Sequence, residues 1–222
     1  MRPLRLALAA AAVLRARAST GWWSLVARAR LRAHGATVGR RLRVRGPIRL
    51  HCHRTGSIHI GDDCRIQSGF AGNAVGSGSR MAVWVGPGAR LHLGNRVGLS
   101  NSTLVCLREV TIEDEALVGG GCAVYDTDFH SLDPEERSRP GNPGAWTAPV
   151  RIGRRAFVGG HSVLLKGATV GEGAVVGAGS VIRGRVPAGQ IWAGNPARFV
   201  RDVRAAAAHE VVRAAFAAEA AR

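Results

Sequence analysis

The segment Tyr125-Asp126-Thr127-Asp128-Phe129-His130-Ser131-Leu132-Asp133-Pro134 sets one imidazole beside two carboxylates, Asp126 and Asp128. Imidazole titrates near neutral pH, so a histidine here is able to take a proton from a hydroxyl and hand it on. Three uses stay open for the carboxylates: orienting the imidazole, receiving acceptor hydroxyls, or capping a turn. A lone histidine is more often a surface residue than a base, so its position must decide. Metal chemistry has less support. The histidines are 34, 51, 53, 59, 92, 130, 161 and 209, with no His-x4-His pair, and only His51, His53 and His161 suggest a grouping. Cys52, Cys64, Cys106 and Cys122 lack metal-type spacing and read as reduced, buried thiols of a cytoplasmic protein rather than a disulfide framework.

The elements that must position these residues show a period of six. Ile152, Val158, Leu164, Val170, Val176 and Ile182 each open a six-residue unit, and Ala156, Ser162, Ala168, Ala174 and Ser180 follow the first five at the fifth position. A helix face recurs near 3.6 residues and a strand face at 2, so neither yields six. Short strands separated by corners do, with one large apolar side chain per side pointing inward and small residues where the corner is crowded. Hexapeptide repeats of this kind mark a parallel β-helix. Earlier units are less regular: Val38, Val44, Leu50, Ile60 and Ile66 keep step, and residues 71–84 lose phase in a stretch that reads as a protruding loop. After Leu93, Leu99 and Val105 comes a one-residue slip to Ile112, Val118 and Val124. The pattern then breaks over residues 126–150, an excursion with Pro134, Pro140, Pro143 and Pro149. A loop this long in a repeat fold tends to lie on the binding face.

The expected organisation is an N-terminal basic, amphipathic helical segment at 1–34, a β-helix domain at 35–198 and a helical cap at 199–222. Residues Leu6–Leu14 are uncharged but too short to cross a bilayer, which takes about 20 residues. Arg2 and Arg5 before that run, with Ala16-Arg17-Ala18 after it, imitate a signal peptide, although Arg15 and Arg17 spoil the cleavage region. The segment either caps the solenoid or lies on a membrane through Trp22, Trp23 and Leu25. The net charge is +16, yet Lys166 is the only lysine and the arginines are scattered through Ala- and Gly-rich sequence. No aromatic-interleaved basic groove is present, which argues against nucleic acid; coenzyme phosphates or acidic lipid suit the charge better.

The hexads, the run His130-Ser131-Leu132-Asp133-Pro134-Glu135-Glu136-Arg137 and the run Gly194-Asn195-Pro196-Ala197-Arg198 resemble the hexapeptide-repeat acyltransferases. Within that family they are most similar to the maltose/galactoside and capsule or colanic-acid sugar O-acetyltransferase branch. The resemblance covers residues 85–200, and residues 1–80 are only generally similar. It implies an all-β solenoid, a left-handed parallel β-helix with N- and C-terminal helices, which departs from the right-handed rule for crossovers. It also implies a homotrimer with active sites between subunits, no metal, and acetyl-CoA as acyl donor. His130 matches the family's general base. Asp128, Asp126, Asn101 and Trp146 fall where the acceptor, a sugar or glycan precursor, would be held. Gly160 matches the position whose backbone N–H meets the oxyanion. Gly177 and Ala178 match the coenzyme arm; Asn195, Pro196, Arg198 and Arg201 match its adenine and phosphate end. Two departures stand out. Arg183-Gly184 replaces a Thr-Lys common in relatives, which moves the phosphate contact to Arg183 or Arg185. Leu107-Arg108-Glu109 stands where sugar-acetylating relatives place an acidic acceptor ligand, so a different acceptor is implied.

The resemblance thus implies acetyl transfer to a sugar hydroxyl in polysaccharide or glycolipid assembly, in the cytoplasm or at the inner membrane face. A xenobiotic acetyltransferase would share the reaction class, whereas serine acetyltransferase would need a longer N-terminal helical domain. A γ-class carbonic anhydrase or a non-catalytic scaffold would share the solenoid. The histidine spacing weighs against the first, and the matched histidine and coenzyme turn against the second.

Overall fold

The computed structural model describes residues 2–69, 75, 80–140 and 144–203, with backbone only for 2–14 and 16. Inward-pointing aliphatics at six-residue spacing bend the chain into a three-sided coil, and successive coils stack as parallel strands. The first sheet holds Thr37–Val38, Ser57–Ile60, Arg90–Leu93, Glu109–Ile112, Val150–Ile152, Thr169–Val170 and Arg185–Val186. The second holds Arg43–Arg45, Arg65–Gln67, Gly98–Ser100, Leu117–Val118, Phe157–Val158, Val175–Val176, Gln190–Gly194 and Ala197–Asp202. The third holds Arg49–Cys52, Ala82–Val85, Thr103–Cys106, Ala123–Tyr125, Val163–Leu164 and Val181–Ile182. The architecture is a left-handed parallel β-helix.

Registers show how the repeat builds the core. Ile152 sits opposite Val170, Val158 opposite Val176 and Leu164 opposite Ile182, each one turn of three hexads on. These aliphatics are almost wholly buried, each contributing about 1.5–3 kcal/mol of apolar burial. The fifth-position residues Ala156, Ser162, Ala168, Ala174 and Ser180 are fully buried beside them. The two serines satisfy corner carbonyls: Ser162 Oγ and Ser180 Oγ both donate to the Gly177 carbonyl, at 3.1 and 2.6 Å. Crowding against the next coil falls on the second position of the hexad instead. A Cβ on Gly159 would lie 2.6 Å from the Ala178 nitrogen, and one on Gly171 would lie 2.4 Å from the Ala188 nitrogen. Neither irregular stretch breaks the ladder, since Ile60 still pairs with Leu93 and Ile112 with Ile152.

Helix α1 (Arg2–Ala33) covers the open end of the first coil. Trp23, Ala27 and Leu31 join the apolar core. Polar groups of the exposed coil edge find partners on the helix: Ser24 Oγ accepts from the Val44 N–H, and Arg28 and Arg30 donate to the carbonyls of Gly39 and Ile48. An edge left open would be a pairing site, so this seals it. Gly35, in the left-handed region, ends the helix as the Ala36 N–H turns back to the Leu31 carbonyl.

At the other end, Phe199–Asp202 is not helical. Ala197–Asp202 is a strand that folds back antiparallel on Gln190–Gly194, with Phe199 opposite Trp192. The outer edge of the last coil needs backbone partners, and this strand supplies them. The rest of the expected C-terminal helix, residues 204–222, lies outside the described residues.

Candidate active site

The excursion leaves the corner between the third and first sheets. Asp126 takes the inward slot there and is fully buried. Its carboxylate accepts three backbone N–H bonds from the preceding coil's corner: Leu107 at 2.8 Å, Arg108 at 2.7 Å and Glu109 at 2.7 Å. Asp126 is therefore a turn-capping residue, not an acceptor ligand. No face of its carboxylate is left for a substrate.

From this anchor the loop rises on a two-stranded stem. Thr127 bridges Thr147 antiparallel, the Asp128 N–H donates to the Trp146 carbonyl and the Ala148 N–H to the Asp126 carbonyl. The stem rests on the next coil through the Gly167 N–H and the Ala148 carbonyl. Asp128 forms an ion pair with Lys166 at 2.6 Å, both mostly shielded, and the Lys166 ammonium lies 4.9 Å from the Trp146 ring centre. The Asp128 carboxylate is thus held by Lys166 rather than by His130. Lys166 was noted in the sequence as the sole lysine but not assigned to the site.

His130 is fixed through its neighbours. Phe129 adopts φ +64°, its N–H donating to Thr127 Oγ1, and its ring meets Tyr125 edge-on at 5.1 Å. After His130, Ser131 is buried and donates through Oγ to Glu136. Asp133 caps the short helix α2 (Pro134–Arg137) by accepting from the Glu135 and Glu136 N–H groups, with Pro134 in the first turn. Arg137 ties back to the Ser131 carbonyl. The Ser-Leu-Asp-Pro-Glu-Glu-Arg motif is thereby a clamp on the backbone beside His130. The imidazole itself is exposed and makes no hydrogen bond to any described residue.

A second feature occupies the corner between the second and third sheets. There Gly119-Gly120-Gly121, Gly159-Gly160, Gly177-Ala178-Gly179 and Ala193-Gly194 stack into an edge of small residues. A Cβ on Gly119 would lie 2.7 Å from the Gly160 nitrogen, and one on Gly177 would lie 2.8 Å from the Ala193 Cβ. Gly160, Gly177 and Ala178 are thus brought together, and Asn195 continues their column. Among the described residues the Gly160 N–H donates to nothing. Asn101 sits at the same corner but is buried, and its side chain is taken up locally. Its Oδ1 accepts from the Gly69 N–H and its Nδ2 donates to the Val75 carbonyl. It pins the irregular stretch instead of facing an acceptor. Val75 lies at this corner, its Cγ1 near Gly160 and its carbonyl near Gly120; of the expected loop, 71–74 and 76–79 lie outside the described residues.

Arg183 lies at the third-to-first corner, away from Gly177 and Ala178. It shares a hollow beneath the last coil with Arg185, Trp192, Pro196 and Arg198. Arg201 pairs with Ile191 on the folded-back strand. Trp146 keeps two thirds of its surface exposed beside Lys166. Burial raises all four cysteine thiols, and burial with the nearby Asp126 pushes Cys106 up to about 12, so none is a ready thiolate. No cluster of three or more metal-binding side chains occurs among the described residues.

His130 and Gly160 flank the third sheet from opposite corners. The strands between them have two to four residues, about 7–13 Å at 3.3 Å per residue. A single chain keeps the two groups apart.

The fold and the repeat make this chain similar to the hexapeptide-repeat acyltransferases. Residues 149–184 match the family model described as bacterial transferase hexapeptide (six repeats). The chain is 31% identical over 128 residues to the galactoside O-acetyltransferase of Escherichia coli K12, covering 54% of this chain and 61% of that enzyme. It spans only 28% and 37% of the lengths of further relatives from Staphylococcus aureus and Mycobacterium tuberculosis. A hexapeptide-repeat-containing acetyltransferase from Vibrio cholerae superposes with a TM-score of 0.51 at 25% identity, over 75% of this chain and 73% of that one. The polySia specific acetyltransferase NeuO shares the fold, with a TM-score of 0.55 at 20% identity, over 76% of this chain and 66% of that one.

Proposed function

We propose that the protein transfers an acetyl group from acetyl-CoA to a sugar hydroxyl, working in the cytoplasm in polysaccharide or glycolipid assembly. The observation that carries the reading is His130: an exposed imidazole with no hydrogen bond among the described residues, on a backbone clamped from both sides, at the 126–150 break in the regular coils. A hydroxyl is a weak nucleophile until a base takes its proton. In this reading the imidazole accepts that proton as the oxygen attacks the thioester carbonyl. The tetrahedral oxyanion then receives the free Gly160 N–H. Collapse breaks the carbon–sulfur bond, and the imidazolium returns its proton to the departing thiolate. The small residues Gly177 and Ala178, with Gly160 beside Val75, leave room for the pantetheine arm along the edge. Arg183 and Arg198, sharing the hollow below the last coil, suit the coenzyme phosphates. Trp146 offers an aromatic face for a sugar ring.

The separation of His130 from Gly160 supports a homotrimer in which one subunit's loop meets its neighbour's edge. The outward row of the third sheet between them, Thr103, Ala123, Val163 and Val181, carries no charge, which suits a subunit contact. The test is thiol release from acetyl-CoA across sugar hydroxyl and amine acceptors. His130→Ala should lower transfer by about 10²–10⁴-fold while acetyl-CoA affinity by calorimetry holds. Undiminished transfer removes His130 as base, and turnover of amines alone redirects the reading to N-acylation.

A further inference from the structure

Helix α1 has two dissimilar sides, and the cap uses only one. Ser24, Ala27, Arg28 and Leu31 meet the first coil. Trp22 and Leu25 point away from it and are 61% and 62% exposed. At about 100° per residue, Trp22, Leu25 and Ala29 form one stripe opposite the capping side. The same spacing reaches Ala18 and then Arg15 toward the N-terminus and Arg32 toward the C-terminus, so the apolar stripe runs from Ala18 to Ala29 and is bounded by an arginine at each end. Ala18 and Ala29 are exposed as well. The helix therefore keeps an apolar stripe, including an indole, in water.

Its charge says what would cover that stripe. Residues 1–34 hold seven arginines, at 2, 5, 15, 17, 28, 30 and 32, and neither Asp nor Glu. Arg28 and Arg30 serve the cap, while Arg15, Arg17 and Arg32 are exposed. Two copies of such a helix laid side by side would repel, whereas an anionic surface attracts it. The 32 residues of α1 measure about 48 Å, several times a four-residue strand at about 13 Å, so most of the helix extends past the coil it caps. No described helix is long and apolar enough to cross a membrane, which leaves lying on its surface. An indole and a leucine beside arginines fit the boundary between headgroups and acyl chains.

We propose that α1 seats the protein on an anionic lipid surface, with the Trp22–Leu25 stripe at the headgroup boundary and the free arginines on lipid phosphates. The proposal is independent of the acyl-transfer reading. Flotation of the full chain with vesicles of phosphatidylglycerol and phosphatidylcholine in equal parts, against phosphatidylcholine alone, tests it. Binding should require the anionic lipid and weaken as salt rises from about 0.1 to 0.5 M, as screening dictates. The double variant Trp22→Ala/Leu25→Ser should bind about tenfold or more weakly, its melting temperature and any thiol release staying at wild-type levels. Three outcomes each overturn the proposal: no binding by the wild type, undiminished binding by the double variant, or self-association through α1 in place of vesicle binding.

Discussion

Replacing Asp126 with Asn separates a structural carboxylate from a substrate ligand. The wild-type side chain accepts from the N–H groups of Leu107, Arg108 and Glu109 in a fully buried corner. An amide oxygen serves two of them at best, and the new NH2 group turns a donor toward donors. Hydrogen bonds to a charged group contribute about 1.5–3 kcal/mol each, and an unsatisfied buried donor costs about 1–3 kcal/mol. The three bonds share one acceptor, so they are not additive, and Arg108 next door is exposed enough to admit some water. A net loss of about 3–5 kcal/mol follows. For a chain of this size each kcal/mol moves the melting midpoint by about 2–4 °C, giving a fall of about 6–20 °C. Thermal melting by circular dichroism reads the midpoint, limited proteolysis reads the 126–150 excursion, and acceptor titration reads KM. The excursion should open to protease as the midpoint falls. A variant melting within about 2 °C of wild type, with acceptor KM raised tenfold or more, would refute the capping assignment and restore Asp126 as a ligand.

Two further expectations concern charge. Lys166→Met removes the partner of a mostly shielded Asp128 and the cation beside Trp146, and should destabilise the stem by about 1–3 kcal/mol, read as faster proteolysis within 131–140 and a lower melting midpoint. Along the corner between the first and second sheets, Asp62 and Asp114 are held below the usual carboxylate range chiefly by the backbone N–H groups of Arg40 and Asn95, and Asp63 and Glu115 chiefly by arginine side chains. Because these folded values lie below the unfolded ones, the stabilisation is present above the ordinary carboxylate range and lost as pH falls through the folded values; acid melting should be steep there, and Asp114→Asn should flatten it.

The repeat was legible because every side of every coil makes the same demand. Each inward aliphatic and each second-position glycine packs against the like position one turn of three hexads on, so a fixed spacing in sequence carries the pattern. Asp126 stayed open between capping a turn and holding an acceptor, and Asn101 was placed with the acceptor, because their partners come from other coils. Asp126 caps a corner 17 to 19 positions earlier, and Asn101 binds Gly69, 32 positions before it. An isolated sequence shows a carboxylate near a histidine; only stacking shows which way it faces. The first residues of the expected C-terminal helix, 199–202, differ for a related reason. The last coil's outer edge claims Ala197–Asp202 as a strand.

The geometry explains why a function can lodge at a break in so regular a fold. Pairing depends on strands, and the strands stay in register whatever the corner between them contains. Ile112 finds Ile152 across the whole excursion, and Ile60 finds Leu93 across residues 69–80. A corner can therefore lengthen at little cost to the core, provided its first residue closes the backbone bonds the coil gives up. Asp126 does that, and the stem, the α2 clamp and the left-handed Phe129 then fix His130 beyond the coil. The opposite corner is held bare by the same stacking, since Gly159 and Gly119 admit no side chain against the coil that follows. One solenoid thus makes a projecting loop and an edge of small residues on either side of the outward row Thr103, Ala123, Val163 and Val181.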